Sequence, residues 1–179
     1  GVSSDFGYGY QVGAYVNPTT AITIGAVYKS AIDMEYKDQI SNAAAAFGYG
    51  SNPSALAAKS DHLEQPAEYG IGLTYETERF ALTGEVKEIL WSDAKGYKDF
   101  GWEDQTVYAL GAKLKGDGYW VGAGYNYAKN PISNNTSTVE VPTSAASSTG
   151  FNQDGDTINM FNYVMFPGTV ESTYTMGGG

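Results

Sequence analysis

Thr106-Val107-Tyr108-Ala109-Leu110-Gly111-Ala112-Lys113-Leu114-Lys115-Gly116-Asp117-Gly118-Tyr119-Trp120-Val121-Gly122-Ala123-Gly124-Tyr125-Asn126-Tyr127-Ala128 is the stretch that decides the fold. In 106–114, Tyr108, Leu110, Ala112 and Leu114 oppose Ala109, Gly111 and Lys113, with Val107 out of pattern. In 119–128, Tyr119, Val121, Ala123, Tyr125 and Tyr127 oppose Trp120, Gly122, Gly124, Asn126 and Ala128. Successive side chains of a strand point to opposite faces, so a bulky residue at every second position fills one face and leaves the other to small or polar groups. Between the two runs, Lys115-Gly116-Asp117-Gly118 has the chemistry of a short hairpin link.

The same period of two extends outward along the chain. It recurs in 8–16 (Tyr8, Tyr10, Val12, Ala14, Val16), 22–29 (Ile22, Ile24, Ala26, Tyr28), 68–76 (Tyr69, Ile71, Leu73, Tyr75) and 80–87 (Phe80, Leu82, Val86). Asn17-Pro18-Thr19-Thr20 and Glu76-Thr77-Glu78-Arg79 are further short links. Long connections at 31–66, 91–104 and 129–168 alternate with these short ones. Within them, 39–47 and 54–60 are rich enough in Ala and Leu to predict short helices, whereas 133–158 has little to bury and is expected to be mobile.

Composition narrows the function. The 179 residues carry a net charge of −10, which argues against nucleic acid as a partner because phosphates demand a basic surface. With no Cys, a disulfide framework, a thiolate metal site and a Cys nucleophile are all excluded. No run of about 18 apolar residues is present to make a transmembrane helix, but a transmembrane strand needs only about 9–11 and hides its apolar face in alternation. No charged-then-apolar leader is read. Gly1 and the final Tyr174-Thr175-Met176-Gly177, a strand that starts and stops, suggest a mature, trimmed or excerpted chain.

A soluble sheet alternates too, but its water-facing side carries Lys, Glu, Arg and Thr. Here that side is mostly Gly, Ala and Thr, and Gly inside a strand weakens it unless something approaches closely. A wall with bulky residues on lipid and small ones on a wet lumen accounts for both faces, with Tyr8, Tyr28, Tyr75, Tyr119 and Tyr127 as an interfacial girdle. Short turns at one end and long loops at the other fit the same architecture. The alternative is a soluble β-barrel or sandwich that binds a ligand without transport.

Specific pieces then fall in order: Trp91-Ser92, Gly101-Trp102-Glu103-Asp104-Gln105, Tyr108-Ala109-Leu110-Gly111-Ala112, Gly122-Ala123-Gly124-Tyr125-Asn126-Tyr127 and Asn130-Pro131-Ile132. Asn17-Pro18 with Thr23–Ser30, Gln65-Pro66 with Gly70–Leu73, and Phe166-Pro167-Gly168 with Thr173–Gly177 agree with them. The ordered set resembles the long-chain fatty-acid outer-membrane transporter family of the FadL/TodX type. That resemblance implies an all-β, antiparallel transmembrane β-barrel of fourteen strands, of which a single partial domain over 1–179 supplies six or seven. It also implies a monomeric barrel in the bacterial outer membrane that takes up hydrophobic compounds, fatty acids or aromatic hydrocarbons, with outer-membrane lipid around it. No cofactor and no enzymatic activity are expected, and with no nucleotide motif uptake is expected to be by diffusion.

The resemblance assigns Lys98 to a pocket for the lipid carboxylate. An ammonium beside Tyr97, Phe100 and Trp102 would suit an amphipathic acid, though the plainer reading of Lys98 is a solvated loop lysine. Trp91 is expected as an interface anchor, and His62, the single histidine, as a surface residue rather than the partner of Ser60 in a hydrolytic pair. Asn152, Asp154 and Asp156 are weakly calcium-like but lack the full loop spacing and are taken as a polar turn, so no metal site is assigned. Glu85 and Lys87 share a face and are expected to pair structurally.

Overall fold

The computed structural model describes residues 6–40, 61–132, 162–164, 166 and 169–179. The alternating segments form strands β1 (Gln11–Val16), β2 (Ile22–Lys29), β5 (Glu68–Glu76), β6 (Phe80–Ile89), β7 (Gln105–Gly116) and β8 (Tyr119–Ala128). The chain end adds β9 (Ser172–Gly178). Together they make one seven-stranded antiparallel sheet in the order β1-β2-β5-β6-β7-β8-β9. β1 begins at Gln11, later than the alternation suggests; Tyr10 instead exchanges backbone and side-chain hydrogen bonds with Ser30. β7 and β6 run past the expected ends, to 12 and 10 residues, long enough to cross a bilayer.

Register joins the bulky positions into a continuous face. Val12 meets Tyr28, Tyr28 meets Tyr69, Ile71 meets Val86, Val86 meets Tyr108, Tyr108 meets Tyr127 and Tyr125 meets Tyr174. A slip of one residue at any pair would drop that strand's Tyr, Ile and Leu onto the opposite face, so the pattern fixes the pairing. No second layer covers this face among the described residues: Leu110 is 63% exposed and Ile71 58%. Val107 falls on the small-residue side, opposite Lys87 and Ala128.

That second face is lined by glycines in register: Gly25 with Gly72, Gly111 with Gly124, and Gly122 with Gly177. Several of its charges pair along the wall. Glu68 receives both Lys29 at 3.2 Å and Lys87 at 3.3 Å, so Lys87 reaches across to β5 rather than to its strand-mate Glu85. Lys115 pairs with Glu76 near the hairpin turns. Those turns are built as the sequence implies: Thr77 Oγ1 accepts from the backbone of Phe80 at 3.1 Å, and Gly118 takes φ 82°, where a side chain would be strained.

At the opposite end the long connections hold structure that alternation does not show. The first contains a separate antiparallel hairpin, β3 (Ile32–Glu35) with β4 (His62–Gln65). The second contains a 3-10 helix, Tyr97–Phe100. The helices expected over 39–47 and 54–60 fall almost wholly outside the described residues. So do the segment 133–158, Ser60, and Asn152, Asp154 and Asp156.

Candidate functional site

The segment between β6 and β7 folds back over the loop end of the sheet. Gly96 opens the 3-10 helix with φ 83°, and a Cβ there would stand 2.6 Å from the His62 carbonyl oxygen. Gly101 closes it with φ 73°, its amide donating to the Lys98 and Tyr97 carbonyls. Two glycines therefore allow a tight arc that delivers Tyr97, Phe100 and Trp102 to one place.

There they form a packed core. Phe100 is 3% exposed and Trp102 7%. Trp102 lies 4.9 Å from Trp91, 4.8 Å from Tyr97 and 4.9 Å from Phe166 between ring centroids, in the tilted and edge-on geometries that aromatic quadrupoles favour. Ile40 and Ile132 close the sides. The indole Nε1–H of Trp102 donates to Asn162 Oδ1 at 3.0 Å, and Asn162 Nδ2 donates to the Phe100 carbonyl at 3.0 Å. Asn162 is 1% exposed, so both bonds offset a full desolvation cost.

Of the four residues singled out from sequence, Phe100 and Trp102 are buried in this cluster, Tyr97 is half-buried at its edge and Lys98 is exposed. Burial pushes the Tyr97 hydroxyl above its usual pKa, with Tyr36 adding to the effect. The Lys98 ammonium has no ion-pair partner among the described residues. Trp91, expected as a membrane anchor, instead packs on Tyr97 at 4.6 Å, and its Nε1 donates to Gln105 Oε1 at 3.2 Å. The turn after β6 swings the ring under the cap instead of outward.

A second cluster ties the hairpin to this cap. His62 Nδ1 lies 2.8 Å from Asp33 Oδ1, and Lys95 pairs with the other carboxylate oxygen of Asp33. The Lys95 amide donates to Glu64 Oε2 at 2.9 Å, while the Glu64 amide donates to the Lys95 carbonyl at 3.0 Å. Partial burial works against ionisation of Asp33, but the Lys95 and His62 contacts outweigh it and hold the carboxyl below its ordinary range. Hydrogen bonding to Asp33 raises the Lys95 ammonium correspondingly. Neither Asn162 nor this cluster is announced by sequence, since Asn162, Asp33 and Lys95 stand in no motif and meet only through the fold.

One solved structure, of the Pseudomonas putida toluene transporter TodX, is similar over 70% of this chain and 36% of its own, at 18% identity and a TM-score of 0.46. The chain thus spans about a third of that transporter's length. No curated protein matches the chain. The family model for outer membrane transport proteins of the OMPP1/FadL/TodX type matches residues 2–152, well over half of the sequence, and the chain belongs to that outer-membrane family.

Proposed function

We propose that this chain forms part of the wall and outer cap of a barrel through which hydrophobic compounds, fatty acids or aromatic hydrocarbons, diffuse into the membrane. The continuous bulky face carries the reading. Soluble monomers rarely expose apolar patches beyond a few hundred Å². Seven strands that each present Tyr, Ile, Leu, Val or Met on one side exceed that. Hydrocarbon tails satisfy such a face without a second protein layer. The loop end, with long connections and the aromatic cap, faces outward, and the hairpin turns face inward.

In this reading the cap is the capture site. Tyr97 offers a half-exposed ring continuous with a rigid aromatic core, and Lys98 on the same helical turn offers a carboxylate an ammonium that has no ion-pair partner among the described residues. Phe100 and Trp102 support Tyr97 from behind, and Trp102 is braced by Asn162. A rigid platform loses little freedom when a greasy ligand settles on it. A neutral aromatic hydrocarbon needs only the ring platform and an acid uses the platform and the ammonium, so both are fitting cargoes. The test is equilibrium binding of dodecanoate and of toluene to the detergent-solubilised full-length protein. Saturable binding of at least one is expected, with Lys98→Met weakening dodecanoate severalfold and leaving toluene unchanged. Absence of saturable binding of either compound defeats the reading.

A further inference from the structure

The two faces of hairpin β3–β4 differ, and each meets a different part of the molecule. Period two puts Ile32 and Met34 on one face and Asp33 and Glu35 on the other. Register sets Glu64 opposite Asp33 and His62 opposite Glu35, so the second face carries three carboxylates and the chain's single histidine. The first face is packed from behind by the segment before β1: a Cβ at Gly9 would stand 2.6 Å from Ile32 Cγ1, and one at Gly7 would be as close to Ile32. The hairpin is thus backed on its apolar side, and its charged side meets the connection that carries the capture arc.

Lys95, one residue before Gly96 opens that arc, is the meeting point. Its amide donates to Glu64 Oε2 and its carbonyl accepts from the Glu64 amide, while its ammonium pairs with Asp33 Oδ2. His62 Nδ1 lies 2.8 Å from Asp33 Oδ1, and the His62 carbonyl lies against Gly96. The groups that face the imidazole are Asp33 and Glu35 from β3, Glu64 from its own strand and Lys95 from the arc's connection, with Asp61 next to it in the chain. Lys95 and His62 hold different oxygens of Asp33, and Glu35 and Glu64 offset a second positive charge beside Lys95.

We propose that His62 is a positioning residue for the capture arc: on gaining a proton it tightens the latch between hairpin and cap, so that cargo binds more strongly in mildly acidic than in mildly basic water. The latch rests on the capture reading above and adds regulation to that site. Histidine is the side chain whose charge ordinarily changes between about pH 8 and pH 5. Asp33, held below its ordinary range, stays ionised throughout that window, and its carboxylate can only accept. Protonation of His62 therefore turns a neutral donor into a charged one, and charge-assisted bonds are roughly twice as strong. An arc that is in place for more of the time binds its cargo more tightly in proportion.

Toluene and methyl dodecanoate carry no charge that titrates, so an effect of pH on their binding comes from the protein. In the full-length protein in detergent, both are expected to bind two- to fivefold more tightly at about pH 5 than at about pH 8, roughly the scale of an exposed ion pair. His62→Gln, which donates but cannot charge, flattens the profile. His62→Arg, a permanent cation, flattens it at the tighter value. Saturable binding that does not change with pH in the native protein, or a change that survives His62→Gln, overturns the latch and leaves the capture reading intact. Binding of neither neutral compound nor of dodecanoate overturns both.

Discussion

Trp102 and Leu110 are close in sequence and both large and apolar, yet Trp102 is 7% exposed and Leu110 63%. The first lies in the cap, the second in the wall, and the two regions meet the cost of apolar surface in different ways. In the cap, side chains cover one another: five aromatic side chains, two isoleucines and a buried amide make a small core of the soluble kind. In the wall, the bulky groups have neighbours only along the sheet among the described residues, and the backbone satisfies itself through the ladder of hydrogen bonds. Such a wall is stable only where the surrounding medium takes the place of a protein layer. A core therefore fails when a hole is made in it, and a wall fails when a charge is placed on it.

The largest effect is expected from the hole. Trp102→Ala removes a ring that touches Trp91, Tyr97 and Phe166 and takes the donor from the buried Asn162 Oδ1. Truncation of a buried Trp costs about 3–5 kcal/mol, which for a small satellite core means local opening. Hydrogen exchange should accelerate at amides in 91–104 and leave those of β5–β8 unchanged. Equal acceleration in the wall would show that cap and wall are one cooperative unit, and the contrast would dissolve.

The wall is tested by adjacent residues on opposite faces. Leu110→Arg places a charge mid-strand on the bulky face and is expected to cost about 2–4 kcal/mol in folding from lipid vesicles. Gly111→Arg places the same group on the glycine face, where an added Cβ meets nothing within 4 Å, and is expected to cost much less. Equal costs at the two positions would mean that the same medium bathes both faces.

The wall was legible in the sequence because each strand repeats its instruction every second residue, and Tyr108, Leu110, Ala112 and Leu114 cannot change face without moving together. The cap was legible only as a set of aromatics near Lys98. Period two says nothing about a 3-10 turn, and the decisive events there are single residues: Gly96 and Gly101 at positive φ, and Asn162, which is 60 residues from the indole it braces. Trp91 shows the limit most clearly. At the end of a strand a Trp reads as a membrane anchor, and only the direction of the following turn decides that it packs inward on Tyr97. The β3–β4 hairpin was hidden in the same way, since four residues per strand are too few for alternation to declare itself.

The smallest effect expected is electrostatic and belongs to the clamp that holds the hairpin against the cap. Asp33 titrates below its ordinary value of 3.8 in the folded protein. A lowered carboxylate contributes stability that is fully present above the unfolded value and is lost as pH falls through the folded one. Lys95, raised above 10.5, contributes below that value and loses its contribution as pH climbs through the folded one. The Asp33–Lys95 attraction is therefore steady through the neutral range and fades at both extremes. Because both groups are substantially solvent-exposed, salt screens the pair and its weight is small. Asp33→Asn should speed exchange of the Lys95 amide modestly at neutral pH and abolish the further acceleration expected of the native protein below pH 3.8. An acid response that survives the substitution would place the cap's weak point at another carboxylate, with Glu64, bonded to the Lys95 amide, as the next to replace.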